Sequence, residues 1–153
     1  MSDLVVKIDG TDALRLRFRR FQEGVSDPRD VYEEVAGWFR TEEQKIFKSQ
    51  GRAYPPKWAA LSPAYAARKM AEVGRKPILE YTGALKQSLT ERPFAIEFIT
   101  KRAATFGTDI PYATYHQRGT PFMPARPPLV KATNKSQRKL QRIIQSALVD
   151  NWK

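Results

Sequence analysis

The stretch FAIEFITKRAATFGT (residues 94–108) decides the fold class of this chain. Its first half alternates with the period of a strand, with Phe94, Ile96 and Phe98 on one side, and AATFGT predicts the hairpin partner. A further short strand is predicted at LVVKID (residues 4–9). Short strands among longer helical patterns predict an α+β fold, in which a small antiparallel sheet packs with three or four helices and long proline-containing loops.

The longest helical pattern covers residues 27–50. Asp27 is expected to cap this helix, and Pro28 occupies the first helical position, where a missing N–H costs little. Gly51 is expected to end the helix. Apolar residues recur along it at helical spacing: Val31, Val35, Trp38, Phe39 and Ile46. Because periodic apolar faces are ordinarily buried, we interpret this stripe as core rather than as a cofactor site.

Two further helices carry clear start and stop signals. Ser62 is the expected cap of the first, Pro63 its first residue and Gly74 its end. The second is predicted at TGALKQSL, where Leu85 and Leu89 share one face.

Less regular patterns complete the chain. DALRLRFRRF (residues 12–21) fits a strand or a helix, and we favour the helix. PYATYHQRG (residues 111–119) predicts a short helix stopped by its glycine. A basic amphipathic helix is predicted over about 135–150. Its apolar face comprises Leu140, Ile143, Ile144, Ala147 and Leu148.

Length and composition limit the class of protein. The 153 residues suit a single domain over 1–153, and 41% hydrophobic residues are enough for a core. The sequence contains no apolar run of about 18 residues and no basic segment followed by an apolar one at its start, so neither a membrane span nor a signal peptide is predicted. Cysteine is absent, which excludes disulfides, thiolate metal sites and cysteine nucleophiles.

Positive charge is concentrated in the C-terminal part. The net charge is +11, and residues 110–149 contain no Asp or Glu. Polyanions are the usual partners of so basic a protein. The cations of the closing helix, which are the candidates for facing DNA, are Lys135, Arg138, Lys139 and Arg142. A solvated helix face explains the same charge equally well, and no helix-turn-helix, zinc-finger or RNA-binding aromatic pattern accompanies it.

Enzyme motifs are weak. His116, the single histidine, could pair with Asp109 and a nearby hydroxyl, but no nucleophile elbow or metal-binding helix motif accompanies it. A lone histidine between tyrosines is more often a structural hydrogen-bonding residue. We therefore expect no catalytic, cofactor-binding or metal-binding residues.

Two loops have the composition of docking segments. GRAYPPKWAALSP (residues 51–63) carries Tyr54 and Trp58, and RGTPFMPARPPL (residues 118–129) carries Phe122 and Met123. Proline lowers the entropy that a loop loses on ordering, and aromatic residues, Met and Arg are enriched at interface centres. The alternative is that the loops fold back onto their own domain, which we favour slightly for Trp58.

Four segments in order resemble the phage virion morphogenesis family, the Mu G-like tail completion proteins. They are KWAALSPAYAARK (57–69), PILEYTGALKQSL (77–89), FGTDIPYATYHQRGT (106–120) and MPARPPL (123–129). The resemblance covers most of the chain and is strongest over 58–129. The family usually has an aromatic residue where this chain has Pro128, and the segment 29–50 matches only as a generic helix.

The resemblance implies a non-enzymatic virion protein of the tail or neck, assembled in the host cytoplasm, that completes or terminates the tail and helps join it to the head. It implies a homo-oligomer, commonly a hexameric ring around the DNA channel, in contact with head connector or adaptor proteins and tail tube proteins but not with a membrane. The alternative is a nonspecific nucleic-acid-binding protein. Candidate interface residues are Tyr54, Trp58, Tyr115, His116, Phe122, Met123 and Arg126. We further expect the Arg126 guanidinium to bind a carboxylate, in its own fold or on a neighbouring subunit.

Overall fold

The computed structural model describes residues 15, 16, 19, 22, 27–91, 93–130 and 133–150, with side chains to 147. The strand predicted at 4–9 lies outside these residues. The described residues of 12–21 are helical, which confirms the preference for a helix there.

From residue 27 onward, the described part of the chain contains five helices and one hairpin. They are α1 (Arg29–Ser49), α2 (Pro63–Val73), α3 (Ala84–Thr90), β1 (Ile96–Ile99), β2 (Ala104–Gly107), α4 (Ala113–Arg118) and α5 (Asn134–Asp150). The α+β class is therefore confirmed, with five described helices rather than three or four. No helix in these ranges is long and apolar enough to cross a membrane.

The hairpin forms as predicted, but its apolar side faces outward. β1 and β2 pair antiparallel, with Ile96 opposite Gly107 and Ile99 opposite Ala104. Ile96 is 40% and Phe98 72% exposed. The hairpin is joined to the body of the fold by Phe106, whose ring stacks on Phe94 at 5.9 Å. The strand period was thus readable from the sequence, whereas the direction of the apolar face was not.

α1 is the central helix. Val31 and Ile46 of the predicted stripe are buried, while Val35, Trp38 and Phe39 are half-buried. The helix ends at Gln50, which adopts the left-handed conformation and donates its N–H to Phe47.

The expected cap by Asp27 is wrong. The N-cap residue of α1 is Pro28, and no side chain caps the helix. The carboxylate of Asp27 instead accepts from Nε of Arg29 at 2.7 Å, and only at 3.4 Å from the backbone N–H of Arg29. A charge-assisted bond to a guanidinium is stronger than a bond to a neutral amide, so Arg29 diverts the capping group.

The signals for α2 and α3 are confirmed. Ser62 accepts a hydrogen bond from the N–H of Tyr65, and Gly74 is the C-terminal cap of α2. Leu85 and Leu89 of α3 are each 1% exposed. α2 itself buries only Lys69, so most of this helix is surface.

Trp58 belongs to the core, not to a surface, because the loop that carries it folds back. It is 3% exposed, its ring packs edge-on against Phe47 at 5.5 Å, and its Nε1 donates to the carbonyl of Pro127 at 3.1 Å. Gly51 makes room for the ring: its φ is +84°, and a Cβ there would lie 2.5 Å from Cδ1 of Trp58. The buried cluster around this contact comprises Ile46, Phe47, Trp58, Leu85, Leu89 and Ala113.

α5 packs on α1 along a narrower face than predicted. Ile143 is 3% exposed, but Ile144 is 46% exposed and does not belong to the buried face. Leu140 and Ala147 are half-buried, and the side chain of Leu148 lies outside the described ones.

Candidate functional site

A cleft of about 850 Å³ opens on the surface of the described chain. Its walls are α2 with the residues before it, the segment 79–85, α4, and the loop 122–126. Apart from Phe122, the lining residues come from the four segments that carry the family resemblance. Segments far apart in sequence are therefore used together to build one surface.

Arg126 ties three of these segments together. Its Nε donates to the carbonyl of Ala59 and its NH2 to that of Ala60, each at 2.8 Å, and its own N–H donates to the carbonyl of His116 at 2.7 Å. Arg126 is only 6% exposed. The expected carboxylate partner is therefore wrong within the described fold, where the guanidinium binds carbonyls instead. A carboxylate on a neighbouring subunit stays a prediction.

The turn behind α4 is shaped for close contact. Gly119 ends α4 with a φ of +77°, and a Cβ at this position would lie 2.8 Å from the backbone nitrogen of Ala125. Thr120 and Met123 then exchange backbone hydrogen bonds of 2.8 and 3.1 Å. This small closed turn holds Phe122 outward, 98% exposed, at the edge of the cleft.

The cleft carries positive charge without acidic residues in its lining. Its cationic or basic residues are Arg68, Lys69, His116 and Arg126, and none of the lining residues is Asp or Glu. Lys69, 4% exposed, donates to the carbonyl of Pro77 at 2.5 Å. Burial lowers the pKa of Lys69 from its usual value, although the nearby Glu80 carboxylate opposes part of this shift.

His116 does not form the pair with Asp109 that the sequence left open. Burial, and then the charge of Arg126, lower the pKa of His116 below its usual value. Its Nδ1 is buried and has no hydrogen-bond partner within the described residues, and Asp109 is exposed. The ring instead packs edge-on against Tyr112 at 5.9 Å. No group of three or more potential metal ligands occurs in the described ranges either.

The seven candidate interface residues divide into two sets. His116, Phe122, Met123 and Arg126 line the cleft, whereas Tyr54, Trp58 and Tyr115 do not. Tyr115 is 59% exposed. Tyr54 is half-buried and donates its hydroxyl to Glu42 at 3.0 Å, and burial, followed by that carboxylate, raises the pKa of Tyr54.

Sequence reasoning missed the α2 side of the cleft. Tyr65 and Arg68 lie three residues apart on one helix face, and the guanidinium lies over the ring at 5.1 Å. Lys69 and Tyr112 also line the site. The spacing of Tyr65 and Arg68 was a readable signal, since residues three apart on a helix are neighbours.

A second charged surface lies on α5. Lys135, Arg138, Lys139 and Arg142 are all exposed. The absence of acidic residues from 110–149 leaves these cations without a carboxylate on their own helix before Asp150. This arrangement suits contact with a polyanion and equally a solvated face.

Comparison with known proteins places the chain in one family. The model of the phage virion morphogenesis family matches residues 9–148. The chain is also similar to Mu-like prophage FluMu G protein 1 of Haemophilus influenzae, with 31% identity over 119 residues, covering 76% of this chain and 77% of that protein. No solved structure gives a significant match. Since the family match spans nearly the whole chain, this protein belongs to the phage virion morphogenesis family and has a structural role in the phage virion.

Proposed function

We propose that this virion protein completes or terminates the phage tail at its head-proximal end and helps to join the tail to the head connector. In this role it forms a ring, with six subunits as the expected number, around the channel through which DNA passes. Its neighbours are further copies of itself, head connector or adaptor proteins and tail tube proteins. Family membership supports a virion role, and the surface of the fold supports docking as the form that the role takes.

The exposed Phe122 beside the basic cleft is the observation that carries the proposal. An aromatic side chain that is 98% exposed on a closed turn gains nothing for the single chain, because it buries no area there. Gly119 and the Thr120–Met123 bridge nevertheless hold it rigidly outward. A preformed turn loses little entropy when it docks, so its shape favours association.

Removal of the protein from an otherwise complete phage tests the proposal. Electron micrographs of the lysate should show separate filled heads and separate tails, and the wild-type chain supplied in trans should restore joined particles. The variant Phe122→Asp should fail to restore them, whereas Arg102→Asp, a change at an exposed position of the hairpin turn, should succeed. Normal infectious particles without the protein would contradict the proposed role.

Nonspecific DNA binding through α5 is the second candidate, favoured by its four exposed cations. Each neutralised phosphate steepens the dependence of log K on log salt by about 0.9 for duplex DNA. Replacing Lys135, Arg138, Lys139 and Arg142 with Gln should flatten that slope. A control with Arg52, Lys57, Arg75 and Arg102 changed to Gln removes the same charge from other exposed positions. Equal slopes for the two variants would show that α5 is not the DNA contact.

A further inference from the structure

Two buried cations at the base of the cleft have hydrogen bonds but no counter-charge. Lys69 donates to a carbonyl oxygen of Pro77, and Arg126 donates to those of Ala59 and Ala60. Buried Lys and Arg are ordinarily paired with carboxylates. Within the described residues no carboxylate lies within 4.0 Å of either one, and Glu80, which acts on Lys69 from a distance, is paired with Lys86 at 3.0 Å. The carbonyls satisfy the donors and leave the positive charge uncompensated.

The cleft also has a cation that a ligand can reach. Arg68 is exposed and is oriented by the ring of Tyr65. His116 also lines the cleft, but its Nδ1 is buried and has no partner among the described residues. Burial lowers the pKa of His116 and of Lys69, because it destabilises the protonated form of each side chain. A bound anion would stabilise those protonated forms.

The walls of the cleft favour protein side chains over nucleic acid. A volume of about 850 Å³ holds a few side chains, and apolar residues such as Leu61, Leu79 and Met123 form much of the lining. A phosphate backbone is better matched by a row of exposed cations, which α5 provides and the buried Lys69 and Arg126 do not. A second copy supplies less of the required charge, because the chain has 27 basic and 16 acidic residues.

We propose that the cleft receives an extended acidic segment of a different virion protein, with a carboxylate against Arg68 and a neighbouring apolar side chain against Leu79 and Phe122. The inference rests on the proposed function, since it names the chemistry of one docking partner in the neck. Its basis is charge complementarity: the cleft offers uncompensated cations and no acid, so the group that completes it is an anion on an otherwise apolar segment.

Selection from a displayed library of random heptapeptides on the immobilised full chain tests this inference. The enriched peptides should contain Asp or Glu beside an aromatic or aliphatic residue. An enriched peptide is then synthesised with its carboxylates intact and as the corresponding amides, and binding is measured by fluorescence anisotropy. The amides should bind about tenfold or more weakly, as expected for loss of a partly buried charge pair.

Matched variants locate the binding site. Arg68→Glu should weaken binding of the acidic peptide by about tenfold or more. Arg102→Glu, the same charge change on the hairpin turn, should weaken that binding by less than about twofold. Phe122→Asp provides a second cleft variant at a side chain that is 98% exposed and therefore not needed for folding. Circular dichroism confirms that each variant is folded.

Several results would overturn the inference. Enrichment of neutral or basic peptides, or of none, excludes an acidic occupant. The cleft is assigned to nucleic acid if two results occur together. A single-stranded 15-nucleotide DNA displaces the acidic peptide, and Arg68→Glu no longer binds that DNA. A change of mass by light scattering in Arg68→Glu assigns it to a second copy.

Particle assembly separates this inference from the proposed function. Full particle yield with Arg68→Glu, despite lost peptide binding, overturns the partner assignment and leaves the tail role standing. Normal particles after deletion of the whole protein overturn the tail role, whatever the peptide result.

Discussion

Glu43 is an acid buried without compensation, and its replacement should change how stability depends on pH. It lies on α1 with 0% exposure, and neither carboxyl oxygen has a hydrogen-bond partner within the described residues. Arg40, one turn earlier, does not pair with Glu43; its guanidinium lies over the ring of Phe94 at 5.0 Å. Burial raises the pKa of Glu43 to about 8, and the backbone N–H of Val130, which lies nearby without forming a hydrogen bond, opposes only part of this rise. The carboxyl is therefore largely protonated at neutral pH.

The sign and size of the effect follow from linkage. The pKa is about 8 in the folded state and 4.5 is the ordinary value, so below pH 4.5 both states hold the proton and the stability is fully present. As pH rises from there to 8, the unfolded chain releases the proton and the folded chain keeps it, so the free energy of unfolding falls by about 1.4 kcal/mol per pH unit. The loss reaches about 3 kcal/mol at pH 7 and about 5 kcal/mol above pH 8, as an order of magnitude.

Urea denaturation at several pH values between 5 and 8 measures the free energy of unfolding of the wild type and of Glu43→Gln. Glutamine resembles the protonated carboxyl, so the two proteins should have similar stability at pH 5, and the variant should be the more stable by a few kcal/mol at pH 8. Glu34→Gln, at an exposed position of the same helix, controls for the loss of one acid. Equal pH slopes for wild type and Glu43→Gln, or a variant less stable than wild type at pH 8, would refute the reasoning.

Three further substitutions test the fold and the docking turn. Gly51→Ala should destabilise the chain by about 2 kcal/mol or more in urea denaturation, since its φ is +84° and its Cβ would meet Trp58; an unchanged midpoint would contradict that contact. Arg126→Met should cost about 2–4 kcal/mol, because two carbonyls lose their charged donor, and a cost below about 1 kcal/mol would show that water replaces it. Phe122→Ser should leave the thermal midpoint unchanged and reduce the yield of joined particles; a lowered midpoint would mean that the turn is structural.

Most element boundaries could be predicted because their signals are local. Ser62 caps α2 through the amide of Tyr65, three residues away, and Gly74 and Gly119 end helices through their own backbone freedom. The hairpin follows from a period of two. Each of these interactions joins residues within one helical turn or one strand pair, so it could be predicted from the amino-acid order. The family resemblance was predicted from the sequence as well.

Local signals failed where a stronger partner or long-range packing competed. Asp27 binds the adjacent Arg29 instead of capping α1. Ile144 has the helical spacing of a core residue, but α1 covers only the neighbouring Ile143. Burial of Trp58 depends on Pro127, which lies 69 residues away along the chain. None of these competitions is visible in the spacing of residues along one element.

The amino-acid sequence by itself determined the fold class, the order of elements, the excess of basic residues and the family. Only the tertiary structure decided that the family segments meet in one cleft, since Arg126 joins them by hydrogen bonds to residues 66 and 67 positions away. It also decided which ionisable groups are buried without an opposite charge, Lys69 and Arg126 at the cleft and Glu43 in the core. The physical reason is that capping and strand alternation depend on near neighbours, whereas desolvation depends on everything that packs around a group.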